Sequence, residues 1–189
     1  MRYFLIGIIG ILCFFSPISL YSQTNNKLWG GLEVGYGISL SDNGKLYDTS
    51  YKGNNRMALS SIRGVFGYYI IPSLSVGAGI GLSSYTKPQL NTIPVFLDFR
   101  FHPLPKNTDL FINADLGHTI ATSESDSKGK LIAELSIGYN LFRIGKLSIV
   151  PAIGYNYVNY SISYPDNDGI KSSFSQHRNS IFLKVGIIY

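Results

Sequence analysis

From about residue 28 to the last residue, apolar side chains alternate with small or polar ones at a period of two, the spacing of strands with one greasy face. In residues 74–85, Leu74, Val76, Ala78, Ile80 and Leu82 alternate with Ser75, Gly77, Gly79, Gly81 and Ser83. In residues 28–41, Leu28, Leu32, Val34, Tyr36, Ile38 and Leu40 alternate with Gly31, Glu33, Gly35, Gly37 and Ser39, so a carboxylate sits in mid-strand on the polar face. The same pattern predicts strands at 58–69, 92–102, 110–121, 131–140, 147–161 and 180–189. No part of this region holds a helical period. The expectation is an all-β chain of eight strands.

The links between these strands alternate in length. Residues 42–57 and 162–179 are long and rich in Asn, Asp, Ser, Gly and Lys, whereas 70–73, 103–109 and 141–146 are short. Short periplasmic turns and longer extracellular loops are the asymmetry of an outer-membrane barrel. An even number of strands then puts both termini on the periplasmic side. Tyr47, Tyr51 and Lys52 in the first long link, and Tyr164, Lys171 and Phe174 in the last, become the expected extracellular contacts.

Charge decides between a soluble and a membrane barrel. Glu33, Arg63, Asp98, Arg100, Asp115, Glu134 and Lys184 all fall on the face opposite the main apolar row of their strands. A soluble barrel would have to line a dry core with these seven charges, so the apolar rows belong outside and the charges in the lumen. A bilayer forbids unpaired strand edges, and the sheet must close on itself. The reading is thus an eight-stranded antiparallel up-and-down transmembrane β-barrel. Closure brings the first and last strands together, so Glu33 is expected to meet Lys184. Asp98 and Arg100 should approach Asp115, with Arg63 and Glu134 projecting from farther around the wall. Four acids against three bases favour a locked plug that carries no steady ion current. Trp29, Tyr68, Tyr69, Phe101, Tyr139, Phe142, Tyr155, Tyr157 and Tyr189 lie near strand ends, where two interfacial girdles would sit. Pro94 and Pro151 remove ladder donors inside strands, which predicts bulges or girdle-level positions.

Met1 and Arg2 precede an apolar run from Tyr3 to Phe15, followed by Ser16, Pro17 and a polar stretch. This is the form of a secretory signal peptide, expected to be residues 1–22 with cleavage after Ser22, leaving one barrel domain at 23–189. Cys13, the single cysteine, lies within that leader, so no thiol, disulfide or cysteine-ligated metal is expected in the mature protein. Gly10, Ile11 and Leu12 do not make a lipoprotein processing sequence. The formal charge of +5 carries no basic run, so nucleic acid is not an expected partner.

The chain resembles the small outer-membrane β-barrel proteins that include the OmpA-type and OmpX-type barrels. The residues that carry the resemblance are Ile-Pro-Val-Phe-Leu-Asp-Phe-Arg at 93–100, Gly-Tyr-Asn at 138–140 and 154–156, and the final strand with Lys184, Gly186 and Tyr189. It implies outer-membrane lipids and lipopolysaccharide as surroundings, and recognition of the last strand by barrel-assembly machinery. A monomer is expected.

Some barrels of this kind are enzymes. Lipid A deacylases carry a His-x-Ser pair with a nearby Glu, but after His118 the Ser position is Ile120, and Glu134 falls on the luminal face. Palmitoyl-transferring barrels use His, Asp and Ser near the rim, for which His177, Ser175, Ser180 and Asp166 are candidates. His102, His118 and His177 read equally as loop or interfacial polarity. No phosphate-binding glycine loop or Ser elbow occurs, and residues 166–169 lack the ligand spacing of a calcium loop. No catalytic residue, metal or cofactor is therefore assigned. The expected function is a non-enzymatic barrel acting in envelope integrity or surface interaction through its loops. A lipid A-modifying enzyme and a narrow pore for small solutes are the alternatives.

Overall fold

The computed structural model describes residues 27–46, 49–53, 58–86, 90–104, 109–122, 128–165 and 171–189. The leader, its cleavage point, Cys13, Tyr47 and residues 166–169 lie outside the described residues.

Among the described residues the chain forms β1 (Leu28–Leu46), β2 (Thr49–Gly53), β3 (Ala58–Ile71), β4 (Leu74–Tyr85) and β5 (Leu90–Phe101). These are followed by β6 (Leu110–Ala121), β7 (Lys128–Tyr139), β8 (Phe142–Ile144), β9 (Leu147–Pro165) and β10 (Lys171–Ile188). Eight of them, β1, β3, β4, β5, β6, β7, β9 and β10, pair antiparallel in chain order, and β10 pairs back to β1, so the wall is a closed up-and-down barrel. Gly30 and Tyr189 exchange backbone hydrogen bonds at 3.2 and 2.8 Å and extend the seam to the end of the chain. The remaining two strands are accessory: β2 folds back on β1, and β8 on β9 through a tight turn in which Gly145 takes a φ of 63°.

The strands are staggered. Passing from partner to partner around the wall leads from Gly31 through Val65, Gly79, Phe96, Gly117, Ile132, Val158 and Arg178 to Asp42, eleven residues farther along β1 (42 − 31). One of those residues is the extra one at the bulge between Ser39 and Ser41. A stagger of this kind goes with strands tilted at roughly 35–45° to the barrel axis. Residues at one height are therefore diagonal neighbours.

Three strands run farther than periodicity predicts. β1 continues to Leu46, β9 to Pro165, and β10 begins at Lys171, so most of the links expected at 42–57 and 162–179 are strand. The upper parts of β9, β10 and β1, with β2 outside them, form a four-stranded sheet that rises beyond the rim on one side of the barrel. There the backbone ladder continues from the wall into the sheet. Pro94 does not make a bulge. The β4–β5 register is the same at Ile80↔Val95 and at Ser83↔Thr92, and only the two intervening pairs are missing. Pro151 pairs with Val185 and lies one residue beyond Ala152, the last partner of β7, at the level where that strand ends.

The outer face carries the apolar rows, including Ile62, Phe66 and Tyr68 on β3, Val95, Leu97, Phe99 and Phe101 on β5, and Leu131, Leu135 and Ile137 on β7, all exposed. Two girdle assignments are corrected. Trp29 is buried in the lumen and Tyr69 packs against it, because both share the inward parity of their strands with Glu33 and Arg63. Glycines make room for such rings. Trp29 stands opposite Gly67, Phe96 opposite Gly79, Phe111 opposite Gly138 and Phe182 opposite Gly154, and a Cβ on any of these glycines would lie within 2.7 Å of the facing ring.

Leu97 is 52% and Ile80 58% exposed on the outer wall. Replacing either by Arg should cost about 2–4 kcal/mol near the bilayer midplane, read by unfolding titration in lipid vesicles. An unchanged stability for Leu97→Arg would overturn the outward assignment of β5.

Candidate functional site

The lumen is filled at mid-height by a layer of charge to which β1, β3, β5, β6, β7 and β10 contribute. All seven of Glu33, Arg63, Asp98, Arg100, Asp115, Glu134 and Lys184 are buried there. Register alone would make this layer unstable. Asp98 pairs with Asp115 and Asp115 with Glu134, so three carboxylates stand side by side on consecutive strands, and like charges opposite one another destabilise a sheet. Cations and one amide resolve the conflict. The Asn113 side-chain amide donates to Asp98 at 2.9 Å and to Asp115 at 3.0 Å. Arg63 reaches Asp115 at 3.1 Å, Glu134 at 2.8 Å and Glu33 at 2.8 Å.

Arg100 closes the other side of the network. It donates from Nε to Asp98 at 3.0 Å and from Nη2 to Glu33 at 2.9 Å, with its guanidinium 3.9 Å from the centre of the Trp29 ring. Lys184 reaches across the seam to Glu33 at 3.2 Å and also binds Glu134 at 3.0 Å and Asn113 Oδ1 at 3.1 Å. The expected meeting of Glu33 with Lys184 is present. Asp115, however, is held by Arg63 and Asn113, not by Arg100, because the stagger carries Arg63 across the lumen to it.

Apolar side chains continue the filling. Trp29, Val65 and Phe96, with Tyr69 and Ile188, run along the wall toward the end that holds the termini. His102 sits at that mouth, buried between the rings of Tyr69 and Phe111 at 5.9 and 5.7 Å; it is luminal, where loop polarity was expected. Toward the other end, Leu59, Tyr85, Val158 and Tyr160 form a second cluster. Arg178 lies between the Tyr85 and Tyr160 rings at 5.5 and 5.6 Å and donates to the Thr86 carbonyl at 3.2 Å.

Of the residues considered for catalysis, Asp166 lies outside the described residues, and Ser175 shares the outward face of β10 with His177. His118 is exposed on the outer wall, with Ile120 on the same face, whereas Glu134 is inside. His177 faces outward and bonds the Tyr157 hydroxyl, whereas Ser180 faces inward and bonds Ser39 at 3.1 Å. Among the described residues no group of three His, Cys, Asp or Glu is placed to hold a metal ion. Of the proposed contact residues, Tyr51 and Lys52 belong to β2, Tyr164 to β9, and Lys171 and Phe174 to β10, all in the sheet above the rim.

Burying ions is tolerable only while they are paired, and removing one partner strands the other at a cost of about 3–5 kcal/mol. Lys184→Met should therefore destabilise the barrel more than the double change Glu33→Gln with Lys184→Met. Strictly additive effects in a double-mutant cycle of unfolding free energies would dissolve this coupling.

No protein-family model matches the sequence, and no curated protein sequence does either. Solved structures do resemble it. The outer membrane protein AlkL, determined in lipid bilayers, aligns over 87% of this chain and 90% of its own with a TM-score of 0.60 at 10% identity. Neisserial surface protein A aligns over 84% of this chain and 96% of its own, with a TM-score of 0.43 at 12% identity. The first of these likenesses, together with the closed wall and its apolar exterior, gives the chain the fold of the small outer-membrane β-barrel proteins: an all-β, eight-stranded antiparallel up-and-down transmembrane barrel.

Proposed function

We propose that this chain is a non-enzymatic integral protein of the bacterial outer membrane, anchored by its wall and acting in envelope integrity or surface contact through the β2–β1–β10–β9 sheet. The carrying observation is that strand length is spent above one rim, while the lumen is packed with paired charges. The reading places both termini and the β8 hairpin in the periplasm and the tall sheet outside, following the usual asymmetry of turns and loops. Membrane lipids and lipopolysaccharide cover the apolar wall. Barrel-assembly machinery takes the β10 strand as its signal. The separation of His118 from Glu134, with Ile120 in the serine position, supports a structural role over a lipid A-deacylating one. The filled lumen likewise supports a sealed plug over a narrow pore.

Cysteines placed at Lys52 and Lys171 should react with an impermeant reagent on intact cells, and protection at both would reverse the orientation. Lipid A mass spectra should be the same with and without the gene, whereas a change in acylation would favour the enzyme. In planar bilayers the protein should pass no steady current; nanosiemens-scale conductance would favour the pore. Loss of the gene should raise detergent sensitivity or lower surface adhesion, and a deletion strain unchanged in both would leave the proposed role without support.

A further inference from the structure

The outer face of β9, β10 and β1 changes character abruptly near the rim. Lower down it presents Ile153, Ile181 and Leu183, all exposed. Directly above, the outward positions become Tyr155, Tyr157 and Asn159 on β9, His177 and Asn179 on β10, and Ser41 on β1. The bulge between Ser39 and Ser41 creates part of this strip, because the extra residue reverses the parity of β1 and sets Ser41 beside Asn179. Five of the side chains are tied into two groups. Tyr155 donates from its hydroxyl to Asn179 Oδ1, Asn179 donates from Nδ2 to Ser41 Oγ at 2.8 Å, and the Tyr157 hydroxyl meets His177 Nδ1 at 2.7 Å, with their rings stacked at 6.0 Å.

None of these six side chains is an acid, a lysine or an arginine; lysines stand only at the borders of the strip, Lys45 opposite Ser175 on β1 and Lys130 in the β7 irregularity opposite Asn159. Phosphate-bearing ligands are held by arginine and lysine or by clusters of backbone N–H groups. Amides and hydroxyls both donate and accept, which matches a ligand made mostly of hydroxyls, and tyrosine presents an apolar ring with a polar tip. The internal hydrogen bonds hold both groups in place before any ligand arrives, which reduces the entropy lost on binding. Across the barrel the rim differs: there the outward polar positions Ser84, Asn91 and Thr122 carry no ring.

We propose that this strip recognises the uncharged sugar headgroup of a glycolipid whose acyl chains lie along Ile153, Ile181 and Leu183. The inference rests on the membrane orientation of the proposed function, which puts the strip at headgroup level in the outer leaflet. Continuity with the lipid-facing wall selects this occupant, since a lipid lying on Leu183 brings its headgroup to Asn179 and Tyr155.

The test uses the full barrel in nanodiscs of phosphatidylethanolamine doped equally with monogalactosyl diacylglycerol and phosphatidylglycerol, with retained lipids read by native mass spectrometry. Wild type should retain the galactolipid over phosphatidylglycerol by roughly tenfold, equivalent to about 1.4 kcal/mol. Asn159→Leu with Asn179→Leu should abolish that preference while the barrel still migrates as folded on gels. If the pair does not fold, Asn159→Ala serves and should lower the ratio severalfold. Equal retention of both lipids by the wild type, an unchanged ratio in the variants, or stronger retention of lipid A in a third arm would overturn the proposal. Ser175→Cys, on the same face, separates the two levels. Protection from an impermeant reagent on intact cells overturns the orientation, whereas labelling without lipid preference overturns the sugar site alone.

Discussion

Hydrocarbon offers no partner to a backbone amide, and this requirement shapes the whole chain. The first strand has to find the last, and β1 pairs with β10 from Gly31↔Ile188 up to the bulge beside Ser39 and beyond it to Lys45↔Ser175. Closing after eight strands sets a circumference whose interior holds side chains and little else. That limit explains the small residues on the luminal face. Each of Trp29, Phe96, Phe111 and Phe182 needs a glycine opposite it, and four inward aromatic rings could not otherwise share the space.

The same confinement sets the electrostatics. Paired buried ions gain little over a well-packed apolar core, so the charged layer is a source of specificity more than of net stability. Its three register-adjacent carboxylates are met by a shared set of cations: Arg63 between Asp115, Glu134 and Glu33, Arg100 between Asp98 and Glu33, and Lys184 between Glu33 and Glu134. A one-residue shift of any of the six strands that contribute to the layer would turn its charge out into lipid. Between β1 and β3 and between β6 and β7, where both strands carry charge, the layer thereby fixes the register that sets Trp29 opposite Gly67 and Phe111 opposite Gly138.

Much of this was legible in the sequence because a bilayer writes a strong period-two signal. The eight wall strands, the outward rows and the luminal side of all seven charges follow from parity. What was missed has three physical causes. The strand ends at 42–46, 162–165 and 171–179 adjoin segments rich in Asn, Asp, Ser, Gly and Lys, a composition that reads as loop although their backbone is paired. Residue type alone points Trp29 and Tyr69 to the girdles, whereas their odd positions, shared with Glu33 and Arg63, point inward. Partners such as Arg63 with Asp115, and the roles of Asn113 and Arg178, depend on strand stagger, which is set by turn geometry and bulges and has no local sequence mark.

The seam between β1 and β10 also bears on how the barrel comes into being. Glu33 and Lys184 stand at opposite ends of the polypeptide, yet they share one ion pair. Until the last strand docks, the luminal face is the wet side of an open, curling sheet, and its charges keep that face hydrated. Full burial of Glu33 and Lys184 requires that seam to be closed. A contact of that sequence range carries a large loop-closure cost, which local pairing of neighbouring hairpins does little to lower.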